Sequence, residues 1–116
     1  MIPILIRNYT ASAAIRENAI VMIGGNDNEV IPATSSADDI LGVSTNIPSA
    51  AGARCDVIHV GIADVRLGGT VGRGRYVTAG AGGTGVSAST GRIVGVALTD
   101  GVEGDIIPVL LGIGQA

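Results

Sequence analysis

From Arg54 to Leu67 the chain alternates with a period of two. One parity holds Arg54, Asp56, Ile58, Val60, Ile62, Asp64 and Arg66; the other holds Cys55, Val57, His59, Gly61, Ala63, Val65 and Leu67. The second set is apolar apart from His59, whereas the first is charged at both ends and apolar in its middle. Successive side chains of a strand point to opposite faces, so the segment reads as two strands or as one long strand kinked at Gly61. Gly68-Gly69 ends it.

The rest of the chain follows the same grammar. Asp39-Ile40-Leu41-Gly42-Val43, Arg92-Ile93-Val94-Gly95-Val96-Ala97 and Gly104-Asp105-Ile106-Ile107-Pro108-Val109-Leu110-Leu111 are related apolar runs of strand length with turn residues beside them. Ala19 to Ile23 reads as a strand closed by the turn Gly24-Gly25-Asn26-Asp27, with Glu29 to Pro32 following at hairpin distance. Ala11 to Asn18 allows one or two helical turns, and Ser35 to Asp38 a short capped one. Tyr76 to Thr78 is a short strand in a Gly-rich stretch. Pro108 removes a ladder donor, which puts the last strand at a sheet edge or a bulge. No helix of ten residues is supported. The fold class is all-β, a compact small barrel or sandwich, with an extended segment from Ile4 to Thr10 leading in.

Composition narrows the function. A chain of 116 residues allows one domain. It has no Trp or Phe, and its only aromatic residues are Tyr9 and Tyr76. A core made of Ala, Val, Ile and Leu is thin, and domains of this kind are commonly stabilised by metal, disulfides or oligomerisation. Cys55 is the lone cysteine and His59 the lone histidine, which excludes an internal disulfide and argues against a zinc cage. Oligomerisation remains. The formal net charge of −3 argues against nonspecific nucleic-acid binding. All seven cations are Arg, and the absence of Lys removes lipoyl and biotinyl carriers, Schiff-base enzymes and Walker-type nucleotide sites. Met1 to Ile6 is apolar but lacks a basic flank and meets Arg7, so it reads as no targeting segment. No run is long enough for a helical membrane span.

Motifs that suggest chemistry have simpler readings. Gly80-Ala81-Gly82-Gly83-Thr84-Gly85 matches G-x-G-x-x-G, but no helix and no βαβ unit follow, so it reads as a loop. His59 with Asp56, Asp64 or Cys55 suggests a general base or metal pair. On a strand, however, His59 and Cys55 share a face with Val57 and Val65, which reads as a hydrogen-bonded core position. Ser87, Ser89 and Thr90 lack a nucleophile elbow. Asp100, Glu103 and Asp105 lack the spacing of a calcium loop. Arg73 and Arg75, at i and i+2 on a strand, point the same way and suit a partner's carboxylates.

The order of motifs resembles the small capsid decoration (cement) proteins of tailed bacteriophages. It comprises an N-terminal arm, Ala19-Ile20-Val21-Met22, Asp39 to Val43, Ala51 to Val57 leading to Gly61-Ile62-Ala63-Asp64-Val65, Gly74 to Thr78, Gly91 to Ala97 and Gly104 to Leu111. The resemblance implies a β-tulip-like domain over residues 19–116, preceded by an arm and lead-in over residues 1–18. It implies a non-enzymatic protein made in the host cytoplasm that binds the outer surface of the expanded head as a homotrimer. There it would bridge major capsid protein subunits without a cofactor, metal, nucleic acid or membrane. In such proteins the arm often pairs with capsid strands. Here the arm maps to Ile2, then Ile4, Leu5, Ile6, Arg7, Asn8, Tyr9 and Thr10, with Pro3 limiting donors on one side and Arg73 and Arg75 as further contacts. A spike or tail-associated virion protein is the alternative, followed by a small trimeric β enzyme with a site between subunits.

Overall fold

The computed structural model describes residues 1–116 and contains nine strands and one short 3-10 turn. The strands are β1 (Ile2–Ala11), β2 (Ile20–Ile23), β3 (Glu29–Pro32), β4 (Ile40–Ser44), β5 (Arg54–Arg66), β6 (Tyr76–Ala79), β7 (Gly85–Ser87), β8 (Arg92–Ala97) and β9 (Ile106–Gln115). All join one sheet in the order β1-β3-β2-β4-β5-β9-β8-β6-β7, and β1 also pairs with β5. That extra pairing closes β1, β3, β2, β4 and β5 into a ring. The remaining strands continue outward from the far half of β5.

Two cores follow from this arrangement. Inside the ring lie Tyr9, Ala11, Ile15, Ala19, Val21, Val30, Cys55 and Val57. The second core lies between the outer wall of the ring, with Ile20, Ile40, Val43 and Ile58, and the extension, with Ala63, Val65, Val77, Ala97, Ile107 and Val109. β5 serves both. Its residues 55 and 57 face the ring interior, and 58, 63 and 65 face the second core.

The switch of parity comes from two paired irregularities. Leu5 pairs with Val60 and Ile6 with Ile58, so His59 is an extra residue on β5; Pro3 pairs with Gly61, so Ile4 is an extra residue on β1. Such bulges bend a strand and reassign its faces. Gly61 has φ +114, and a Cβ there would strike the Ile2 carbonyl oxygen and lie 2.8 Å from the Ile4 nitrogen. Only glycine fits the kink. The alternation along residues 54–67 is therefore one bent strand, and Val65 lies in the core opposite to that of Cys55 and Val57.

Other local expectations are revised. Residues 11–18 form no helical turn: Ile15 bridges to Ser49, and Asn18 turns the chain with φ 54. The Ser35–Asp38 segment is a turn in which the Asp38 carboxylate accepts hydrogen bonds from the Thr34 and Ser35 amides. Pro108 sits on an interior strand, paired with Asp64. Its carbonyl accepts from the Leu98 amide, just past the end of the β8 ladder at Ala97. The missing donor therefore falls where the ladder has run out. The G-x-G-x-x-G segment is the β6–β7 connection, as its context suggested.

Candidate functional site

The N-terminal segment is extended and lies antiparallel along β5, from Ile2 opposite Ile62 to Thr10 opposite Arg54. Its other edge meets β3 only at Thr10 and Ala11. The Thr10 amide donates to the Asn28 carbonyl on that side, and the Ala11 amide to the Ala53 carbonyl on the other. By alternation, the backbone groups of Ile6 and Asn8 point to the same side as those of Thr10, where no strand of this chain pairs with them. Such an edge is a ready template for strand addition.

The arm's side chains divide into two groups. Ile2, Ile4, Leu5 and Ile6 are exposed, Ile4 most of all at 77%. The polar residues are held within the chain. Arg7 donates to the Asn28 side chain (2.8 Å) and lies 5.1 Å from the Tyr9 ring centre. Asn8 donates to Asp56 (2.9 Å) and accepts from Arg54, which also donates to Thr10 (2.9 Å). Tyr9 is buried, with its ring in the ring core. The arm therefore offers a partner apolar side chains and an open backbone edge, while residues 7–10 fix it to the domain.

His59, the bulge residue, is half-buried, with Nε2 2.8 Å from the Tyr9 hydroxyl. Burial pushes its pKa below the ordinary value of 6.5, aided by the nearby Arg7 charge and opposed by a backbone hydrogen bond with Leu41. A neutral imidazole with Nε2 accepting from Tyr9 fits these surroundings. Cys55 is buried two strand positions from Val57, and burial raises its thiol pKa above 9.0. Both residues are built into packing. No group of three or more His, Cys, Asp and Glu side chains converges in a metal-binding arrangement. Asp100 and Asp105 serve turns instead, accepting from the Arg73 and Val102 amides respectively.

Arg73 and Arg75 lie in an exposed turn before β6, around Gly74 with φ +83, and not on a strand. The rule that i and i+2 point together does not apply there. Neither guanidinium forms an ion pair; the three ion pairs are Met1 amine–Asp64, Arg66–Glu17 and Arg92–Asp39. An open recess of about 470 Å³ lies beside the arm, between Arg7, Tyr9, Leu41 and the β2–β3 turn.

No family model and no curated protein matches the chain. A solved structure is similar along nearly the whole length. It is the N base of the head fiber gp8.5 of bacteriophage phi29, with a TM-score of 0.74 and 17% identity over 97% of each chain. At that identity the likeness establishes the fold.

The sequence left one surface unremarked. Residues opposite one another in a ladder share a face, and the pairings Ile2–Ile62, Ile62–Leu110, Leu110–Val96 and Val96–Tyr76 cross five strands. Ile2, Leu110 and Tyr76 in that row are all about half exposed or more. The only signal for it was the apolar middle of the charged parity in β5, Val60 and Ile62. No single segment revealed that the apolar positions of four other strands lie beside them.

Proposed function

We propose that this chain is a non-enzymatic structural component of a phage virion, specifically a capsid decoration (cement) protein. It sits on the outer surface of the expanded head as a homotrimer and bridges major capsid protein subunits. The observation that carries this reading is the full-length likeness to a phage head fiber base. The open edge of β1, with Ile4 and Ile6 exposed beside it, supplies a means of attachment: a capsid strand adds to β1 through backbone hydrogen bonds. Three copies on one head give three linked contacts, which turn modest affinity into long residence. Arg73 and Arg75, unpaired and exposed, are further contacts for capsid carboxylates.

The test is co-sedimentation with expanded and unexpanded shells. Wild-type protein is expected to pellet with expanded shells only. Ile6→Pro removes an amide from the open edge of β1 while sparing the β5 ladder, and is expected to remain in the supernatant. Deleting residues 1–10 is the poorer experiment, because β1 closes the ring. Wild-type protein that stays in the supernatant with both shells refutes the cement reading.

The same neighbour favours a second reading, in which the chain is the base of a head fibre. Electron micrographs of heads from the parent phage separate the two. A cement protein gives a smooth, thickened shell, whereas a fibre base gives projections extending from the surface.

A further inference from the structure

The outer face of the extension is a continuous apolar surface that nothing in the chain covers. Its centre is the row Ile2, Ile62, Leu110, Val96 and Tyr76. Leu5 and Val60, paired with each other, lie on one side of it; Pro108, with Leu98 at the end of its ladder, lies on the other. Leu5, Val60, Leu98 and Leu110 are between 37% and 52% exposed. The opposite parity of the same strands forms the second core, so this face is the unfilled side of a sheet whose other side is packed.

We propose that this face is the seam between copies of this chain. The inference rests on the homo-oligomer in the reading above and assigns it a surface. Three properties select a second copy as the occupant. The large apolar side chains leave on the order of 600 Å² in water, at the top of the range for the largest patch on a monomer and close to the ~800 Å² each partner gives to a stable interface. On β5 the charged groups that flank the row are paired within the chain, Asp64 with the Met1 amine at 3.6 Å and Arg66 with Glu17 at 2.9 Å. The β5 part of the face therefore presents no unpaired charge, which suits apolar contact between copies of this chain. Its central strands are also already paired on both edges, so contact there is between side chains. Strand addition is left to the open edge of β1. One surface joins copies and the other meets the shell.

Sedimentation velocity over a range of concentrations tests the assignment. Wild-type protein is expected to be an oligomer. Leu110→Arg and Val60→Asp, each at a half-exposed position, are expected to weaken association at least thirtyfold, on the order of a hot-spot loss, with an unchanged circular dichroism spectrum. Ile47→Asp, at a position 69% exposed outside this face, is expected to leave association unchanged. An oligomer that survives both face variants overturns the seam but leaves shell binding intact. A wild-type monomer also overturns it; if Leu110→Arg then abolishes shell binding, the face belongs to the capsid.

Discussion

Replacing Gly61 with alanine tests the reasoning about the bent strand. With φ +114, the position lies in a region where side-chain-bearing residues are strained, and such a residue costs about 1–3 kcal/mol. The added Cβ also meets the Ile2 carbonyl oxygen, the Ile4 nitrogen at 2.8 Å and the Pro3 Cα at 3.1 Å. These are backbone atoms of β1, and they move only if the strand shifts. Losing one or two ladder bonds adds roughly 1 kcal/mol each. The sum is about 2–5 kcal/mol, a large part of the ~5–15 kcal/mol that holds a small domain together. Thermal unfolding is expected to fall by about 8–20 °C. Hydrogen exchange is expected to localise the damage, with protection lost from the first half of β1 and retained in β8 and β9. Gly25→Ala is the control, because a Cβ there meets nothing within 4 Å, and its effect is expected to stay within about 0.5 kcal/mol. If Gly61→Ala is as stable as Gly25→Ala, the kink does not depend on glycine and the account of the parity switch fails.

Other expectations follow from the same structure. Tyr9→Phe removes the hydroxyl bonded to His59 Nε2 and is expected to cost about 1 kcal/mol in urea unfolding; an unchanged midpoint would contradict that bond. Because the folded state depresses the His59 pKa, its contribution is fully present above pH 6.5 and is lost as pH falls below that value. A His59→Gln variant is expected to lose that part of the acid sensitivity, and an identical pH profile would count against it. Cys55 is buried with its thiol pKa raised. It is expected to react with a thiol reagent only as fast as the domain opens, and stability is expected to fall as pH rises above 9.0, where the unfolded chain ionises first; rapid stoichiometric labelling of the native protein would refute its burial. Arg73→Ala and Arg75→Ala remove guanidinium groups without an ion-pair partner, so stability is expected to change by less than about 0.5 kcal/mol while shell binding weakens. Equal shell binding by the double variant would remove both residues from the contact surface.

Much of the fold was legible because strand signals are local. The alternation over residues 54–67 marks β5 and its kink, and the Gly24–Asp27 turn between two apolar runs marks the β2–β3 hairpin, with Ile23 opposite Val30. β7 was not legible, since Gly85, Val86 and Ser87 resemble the loop around them and pair only because β6 lies alongside. The closure of β1 onto β5 spans some fifty residues, and neither segment identifies the other as its partner. The same limit governed the candidate site. The arm's sequence identified an extended segment with apolar side chains, but Arg7, Asn8 and Thr10 are held by Asn28, Asp56 and Arg54 from distant parts of the chain. Tyr9 looked like a contact residue and is a core residue because the ring closes over it. Local pattern also misassigned Val65, since one extra residue at His59 exchanges the faces beyond it.

Cryo-electron microscopy of expanded heads incubated with the purified protein tests the central claim most directly. Trimeric density is expected on the outer surface, with β1 laid against a capsid strand and the Leu110 face turned toward the three-fold axis. Heads that remain bare, or density confined to the tail, would contradict it.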